Sequence, residues 1–397
     1  MSRTLLQEAR ALQKTLSHWR RHFHKHPELG FEERRTARHV RGQLRKLGLK
    51  PREPVFETDV VADLAVAGAT KTVALRADMD ALPVQELSRC TYRSVNDGVA
   101  HLCGHDAHMA MLLGAARLLL GRREELGVNV RFLFQPAEER PPGGAAKLVE
   151  AGMLDDVDEI FGLHVDSRLP VGVVSSCPGP IMAAADGFEA RFLGRGGHAA
   201  SPHLNLDPVP VVAQAILALQ SVASRSTNPT EPVVLSVCKV HGGTAFNVIP
   251  EEVTIGGTVR TVTKKHRRAV PRLMKRILTG VARSAGMKVE FRYDFCYPPT
   301  ANHPRSVAFL AKIVGQLTGN SHSFRQAAVR MGAEDFSCYL EKVPGAFAFL
   351  GTRGKARRTQ HNHHSPYFDI DERALPLGAA LLAGLALGRS QPALPGQ

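Results

Sequence analysis

What this chain lacks narrows its class before any motif is read. Its six cysteines, Cys90, Cys103, Cys177, Cys238, Cys296 and Cys338, have no paired spacing, which excludes a disulfide-stapled fold and suits reduced thiols. No apolar run approaches the length of a membrane span, and residues 1–25, amphipathic and charged, lack the apolar core of a signal peptide. Glu8 and the early start of the folded pattern argue against an Arg-rich transit peptide, so a cytoplasmic protein with no membrane partner is expected. No internal repeat or low-complexity block occurs, which sets solenoids aside. Acidic residues are in deficit: 37 Asp and Glu against 51 Lys and Arg leave a net charge of +14. Such an excess attracts nucleic acid, an anionic membrane or an acidic small substrate, yet no zinc-finger, basic-zipper or RNA-platform pattern accompanies it. The densest run, Lys264-Lys265-His266-Arg267-Arg268 followed by Arg272, Lys275 and Arg276, has the spacing of a solvated helix face, and no nucleic-acid partner is expected.

What is present is enough for two cores. At 397 residues the chain exceeds the usual size of one hydrophobic core, and 44% hydrophobic residues are too many for disorder. Helices are predicted over 2–25 and 31–47, separated at Pro27, and strands over 60–67 and 72–76. A long apolar helix pattern covers 106–120, the near-continuous apolar run 128–134 reads as a buried parallel strand, and 159–165 as another. Strands alternating with helices predict an α/β fold, a mostly parallel sheet flanked by helices. Near residue 184 the texture changes to strands at 187–192, 233–240 and 253–261 with helices at 208–223 and 264–285, an α+β insertion. Alternation returns after Pro298, with a strand at 346–350, a helix at 375–387 and a frayed tail over 388–397. The expected organisation is one domain, 1–184 and 297–397, interrupted by another, 185–296.

Five groups suited to metal binding fall where this order places strand ends and adjacent loops, the region where open parallel sheets gather their ligands. In Cys103-Gly104-His105, an extended chain points the thiol and imidazole the same way, so both can share a metal. Glu138-Glu139 follows the run 128–134. On extended backbone their side chains diverge, leaving one carboxylate for metal and the other for acid or base work. His164 ends the next strand and His364 lies in a His-rich segment, either of which alone reads equally well as structural or solvated. Asp78 and Asp80, after the strand 72–76, suit the orientation of a ligand imidazole, or helix capping.

Taken in order, these segments resemble the aminoacylase and carboxypeptidase clan of metallopeptidases, in particular its hippurate hydrolases and indole-acetic-acid amino-acid amidohydrolases. The resemblance spans nearly the whole chain. It is carried by His24-Lys25-His26-Pro27-Glu28-Leu29, Arg76 to Pro83, Cys103 to His108, Gln135 to Glu139, Gly162-Leu163-His164-Val165, Gly196-Gly197-His198-Ala199-Ala200, Gly242 to Pro250, Gly332-Ala333-Glu334-Asp335-Phe336 and His364-Ser365-Pro366. It implies a zinc-peptidase-like catalytic domain with an inserted lid and dimerisation domain, whose strands could pair across a two-fold axis into a homodimer. It further implies that Cys103, His105, Glu139, His164 and His364 bind two divalent metals, manganese or zinc with cobalt or nickel also admitted, and that Cys103 bridges them. Glu138 becomes the general base, His198 the lid histidine that approaches the scissile carbonyl, and Asn247 and Arg260 the holders of the substrate carboxylate or oxyanion. The implied reaction is hydrolysis of a small N-acyl amino acid by metal-activated water. The rivals are a dipeptidase or carbamoyl-amide hydrolase on the same site, and a basic nucleic-acid-binding protein that kept the fold. Two departures stand out: Arg140-Pro141-Pro142 replaces a small glycine-containing turn, and Asp166 replaces a common aromatic.

Overall fold

A computed structural model describes residues 4–390. The chain divides into two compact units, one of Met1–Ile181, Ala301–Ala328 and Asp335–Gln397, the other of Met182–Thr300 and Val329–Glu334. The first boundary falls at 181/182, not 184/185, because Ala183 donates its N–H to the carbonyls of Arg330 and Gly332 and so carries that short segment with the second unit.

The first unit is built on a seven-stranded sheet with the order Val60–Leu64, Asn129–Gln135, Thr72–Asp78, Glu159–Pro170, Gly345–Arg353, Val174–Ser176, Phe324–Gln326. Thr72–Asp78 pairs in parallel with both neighbours, and Glu159–Pro170 with Gly345–Arg353. The antiparallel pairs involve Val60–Leu64 and Val174–Ser176. Thr72–Asp78 is buried at every residue, which explains its unbroken apolar reading up to Arg76. Two helices, His105–Gly121 and Leu375–Arg389, are apolar nearly all round and form the core with Leu16, Trp19, Phe132 and Phe161. Neither is long and apolar enough to cross a membrane, nor is any other described helix.

Several predicted elements shift. The N-terminal helix is two helices, Leu5–Ala11 and Gln13–Lys25, meeting at Leu12; Ser2 lies outside the described residues. The second helix starts at Arg34, because Phe31 has φ +66° and cannot begin it. The strand carrying His164 runs on to Pro170, so His164 is inside it rather than at its end. The last helix continues through Gly388 to Arg389, while 391–397 of the expected tail lie outside the described residues. Helix Pro304–Thr318 was not anticipated.

The second unit is a four-stranded antiparallel sheet in the order Lys288–Tyr297, Ala184–Leu193, Glu252–Thr261, Val233–His241, packed with helices Pro208–Arg225 and Lys264–Ser284. Phe188, Ala190 and Phe192 alternate inward and meet Val270, Met274 and Leu278. On Lys264–Ser284 the basic residues Lys264, Lys265, Arg268, Arg272, Lys275 and Arg276 are exposed, as their spacing predicts, while Arg267 turns in to Asp186 at 2.9 Å.

Candidate metal centre

The site forms in the first unit, around the N-terminus of helix His105–Gly121. Gly104 caps that helix in the left-handed region (φ +98°), and a Cβ there would lie 2.2 Å from Val165 Cγ2, so only glycine fits. Cys103 and His105 are therefore not alternate residues of an extended chain, as the sequence predicted. The left-handed turn brings them together, and their ligand atoms and that of His164 lie within 4.8 Å of one another.

Hydrogen bonds fix which ring nitrogen is free. His105 Nδ1 donates to the Asp80 carbonyl at 2.9 Å, with Asp80 Oδ1 at 3.2 Å, so its Nε2 carries the lone pair. His164 Nδ1 donates to the Val165 carbonyl at 2.7 Å and turns Nε2 to within 3.4 Å of Cys103 Sγ. His108 Nε2 accepts from Val165 N–H at 2.9 Å, so its Nδ1 donates to Asp78 Oδ1 at 2.5 Å. Asp80 thus orients His105. Asp78 chiefly holds His108 and Arg76, with His105 Nε2 at 3.7 Å.

Glu138 and Glu139 leave the strand Asn129–Gln135 through Ala137, which has φ +56°. This turn overrides the diverging side chains expected of an extended chain. A carboxylate oxygen of each residue lies within 4.8 Å of a His105 nitrogen. Glu139 donates its N–H to Asp80 Oδ2 at 2.8 Å and meets His364 Nε2 at 3.0 Å, which closes a third group of donors with Cys103. His364 sits at φ +66° and is half exposed.

These groups unsettle one another's charge. Burial, then the Glu139 and Glu138 carboxylates, push the Cys103 thiol well above its ordinary range. Burial opposes charge on His105, but Asp78, Asp80 and Glu139 outweigh it and raise the imidazole to about 10. Burial, His108 and His363 hold His164 well below the usual histidine range. The raised His105, beside several carboxylates and a buried thiol, marks a demand for positive charge at this place, and a divalent metal bound at His105 Nε2 would meet it in place of the proton. His105 Nε2 supports that fit: it is buried and has no hydrogen-bond partner among the described residues.

His198, Asn247 and Arg260 belong to the second unit. His198 and Asn247 are exposed neighbours: Gly197–His198 pairs with Val248–Ile249, and Ala199 N–H donates to the Asn247 carbonyl at 3.0 Å. Arg260 lies in the central strand Glu252–Thr261 opposite Ala185 and Val234, and no hydrogen bond of its side chain occurs among the described residues.

A family model described as Peptidase family M20/M25/M40 matches residues 74–388. The chain belongs to this family. It is 44% identical over 374 residues to the IAA-amino acid hydrolase ILR1-like 4 of Arabidopsis thaliana, covering 92% of this chain and 84% of the relative. It is 40% identical to the N-acetylcysteine deacetylase of Bacillus subtilis, over 95% of this chain and 97% of that one. The crystal structure of a dinuclear metal binding peptidase of the M20 family, also from Bacillus subtilis, superposes with a TM-score of 0.85 at 36% identity, covering 96% and 99% of the two chains. These likenesses carry the sequence's expectation of an α/β catalytic fold with an inserted α+β domain.

Within this M20 site, two features go beyond the sequence reading. Asp166, which stands where relatives of this kind commonly have an aromatic, is fully buried and accepts from Arg168 N–H at 2.9 Å. His363, not singled out in the sequence, donates from Nδ1 to the Cys103 carbonyl at 3.1 Å and packs 5.2 Å from the His164 ring. Its adjacency to His364 was the only available signal.

Proposed function

We propose that this M20 hydrolase cleaves the amide bond of a small N-acyl amino acid, releasing a carboxylic acid and the free amino acid. One observation carries the reading: Cys103, His105, Glu138, Glu139, His164 and His364 form overlapping groups of donors at one place, with Glu138 among them and only 6% exposed. Two divalent ions held by Cys103, His105, Glu139, His164 and His364, manganese or zinc, with cobalt or nickel also admitted, supply Lewis acidity and lower the pKa of water toward about 7 when bound. Glu138 accepts the proton of the attacking water and returns it to the departing amine nitrogen. Asp80 keeps His105 and Glu139 in register throughout. In the second unit, His198 approaches the scissile carbonyl and stabilises the developing oxyanion, and Asn247 and Arg260 hold the substrate carboxylate or oxyanion; the resemblance over 196–200 and 242–250 supports the roles of His198 and Asn247. We read that unit also as a lid and as the surface of a homodimer, on the strength of its edge strand Val233–His241 with exposed Val234 and Val240. The setting is cytoplasmic, in keeping with the scattered cysteines.

The test is elemental analysis of chelator-free protein, paired with amino-acid release from N-acetyl, N-benzoyl and indole-acetyl substrates. Two metals per chain with metal-dependent release is the expected result. Glu138→Ala should keep its metal and lose about 10²- to 10⁴-fold in rate. Unchanged turnover in that variant overturns the general-base assignment.

A further inference from the structure

Backbone strain in the first unit is confined to few places. Among the described residues only Phe31, Ala137 and His364 adopt positive φ without being glycine, at +66°, +56° and +66°. Two of these flank or belong to the metal centre, and the third, Phe31, precedes a buried glutamate that the mechanism above does not use. Glu33 is fully buried, and its Oε1 accepts the Ala137 N–H at 2.8 Å across 104 residues of sequence. Its other oxygen, Oε2, is buried with no hydrogen-bond partner among the described residues. The same stretch grips the turn a second time: Arg140 Nη1 donates to the Gly30 carbonyl at 3.2 Å, and a Cβ at Gly30 would lie 3.1 Å from Ala137 Cα and Cβ. The segment from Gly30 to Glu33 therefore holds the backbone ahead of Glu138-Glu139 through the Ala137 N–H and the Arg140 side chain after them.

An alanine at φ +56° is strained and persists only where its surroundings impose it. On the far side, Glu139 N–H is held by Asp80 Oδ2. On the near side, Glu33 supplies the side-chain acceptor for Ala137 N–H. We propose that Glu33 is the positioning residue of the general base, fixing the turn at Ala137 so that the Glu138 carboxylate stands at the reacting centre. This rests on the role given above to Glu138. Displacing a catalytic group by about 1 Å can cost about 10²-fold in rate, so a carboxylate that never touches substrate can control turnover. Burial, with the nearby Asp80, pushes the Glu33 carboxyl up to about 8. Near neutral pH it is thus largely uncharged, and a glutamine can take its place, its carbonyl oxygen accepting the same N–H.

The experiment compares Glu33→Ala and Glu33→Gln with the unaltered protein. It follows backbone hydrogen exchange of the segment 136–140 in metal-free protein, together with metal content and kcat and KM for N-acyl amino acids. The expected result for Glu33→Ala is faster exchange confined to that segment, full metal content, and kcat lower by about 10- to 100-fold with KM changed by less than about 3-fold. Glu33→Gln should restore exchange protection and most of kcat. Exchange unchanged in Glu33→Ala, or faster exchange with kcat intact, overturns the proposal. Equal loss in Glu33→Gln does so as well, and faster exchange throughout the chain in both variants marks Glu33 as merely structural. Should the unaltered protein release no amino acid from any substrate, the functional reading fails, while the exchange arm still decides whether Glu33 holds the turn.

Discussion

Asp80 is expected to be as necessary to metal binding as the ligands themselves, and for a reason that defeats its closest substitute. Its side chain is an acceptor on both sides: Oδ1 faces His105 Nδ1 at 3.2 Å and Oδ2 faces Glu139 N–H at 2.8 Å, with the residue only 1% exposed. In Asp80→Asn one oxygen becomes an NH₂ group, which must meet a donor whichever way the amide turns. The isosteric change is therefore expected to fail much as Asp80→Ala does. His105 keeps the backbone carbonyl of residue 80 at 2.9 Å, so the loss falls mainly on Glu139. Losing one such supporting partner typically lowers metal affinity about 10- to 100-fold, or about 1.4–2.7 kcal/mol. Competition with a chromogenic chelator measures it directly, and thermal unfolding of the metal-free protein checks that the fold survives. Wild-type affinity in Asp80→Asn would refute the two-acceptor account, and wild-type affinity in Asp80→Ala would remove Asp80 from the site altogether.

Gly104→Ala combines a left-handed backbone with a 2.2 Å clash against Val165, so a loss of about 2–4 kcal/mol in urea unfolding and a fall in metal content are expected; a stable, fully metallated variant contradicts the geometry. His39, stacked 3.9 Å from His22, is held down to about 4 by burial and by its histidine and basic neighbours. The unfolded chain takes up that proton near 6.5 and the native ring only near 4, so this contribution to stability is complete above about 6.5 and falls away as pH drops toward 4. Discounted for the ring's partial exposure, about 1–2 kcal/mol should separate pH 7 from pH 4.5, and His39→Gln should lose that difference; identical pH profiles for the two proteins count against it.

The elements that could be read directly were those whose burial is uniform. The run from Val128 to Phe134 announces a strand because both faces of Asn129–Gln135 are covered. Lys288–Tyr297 was missed for the opposite reason. It is an edge strand, largely exposed, whose Val289, Phe291, Tyr293 and Phe295 alternate with charges and polar residues, and that period-2 pattern was the signal to find it. At the site, residue chemistry was legible and backbone geometry was not. Cys103, His105 and the glutamate pair are recognisable as donors in sequence, whereas their convergence depends on φ at Gly104 and Ala137, where Val165 leaves room only for glycine and Glu33 accepts the Ala137 N–H. Such long-range partners leave no periodicity to read.

The sheet order also dictates a schedule on the ribosome. Strand Gly345–Arg353 lies between Glu159–Pro170 and Val174–Ser176, so the middle of the sheet stays open until roughly 180 further residues have been made. At about 5–20 residues per second, that is a wait of roughly 10–40 s. Met182–Thr300 is contiguous and supplies all four strands of its own sheet, so it can fold first, reversing the usual N-to-C order. Meanwhile Ile160, Phe161, Leu163 and Val165 present an unpaired apolar strand edge, the kind of surface that aggregates unless a chaperone covers it. A chain cut anywhere before Gly345 keeps that edge for good.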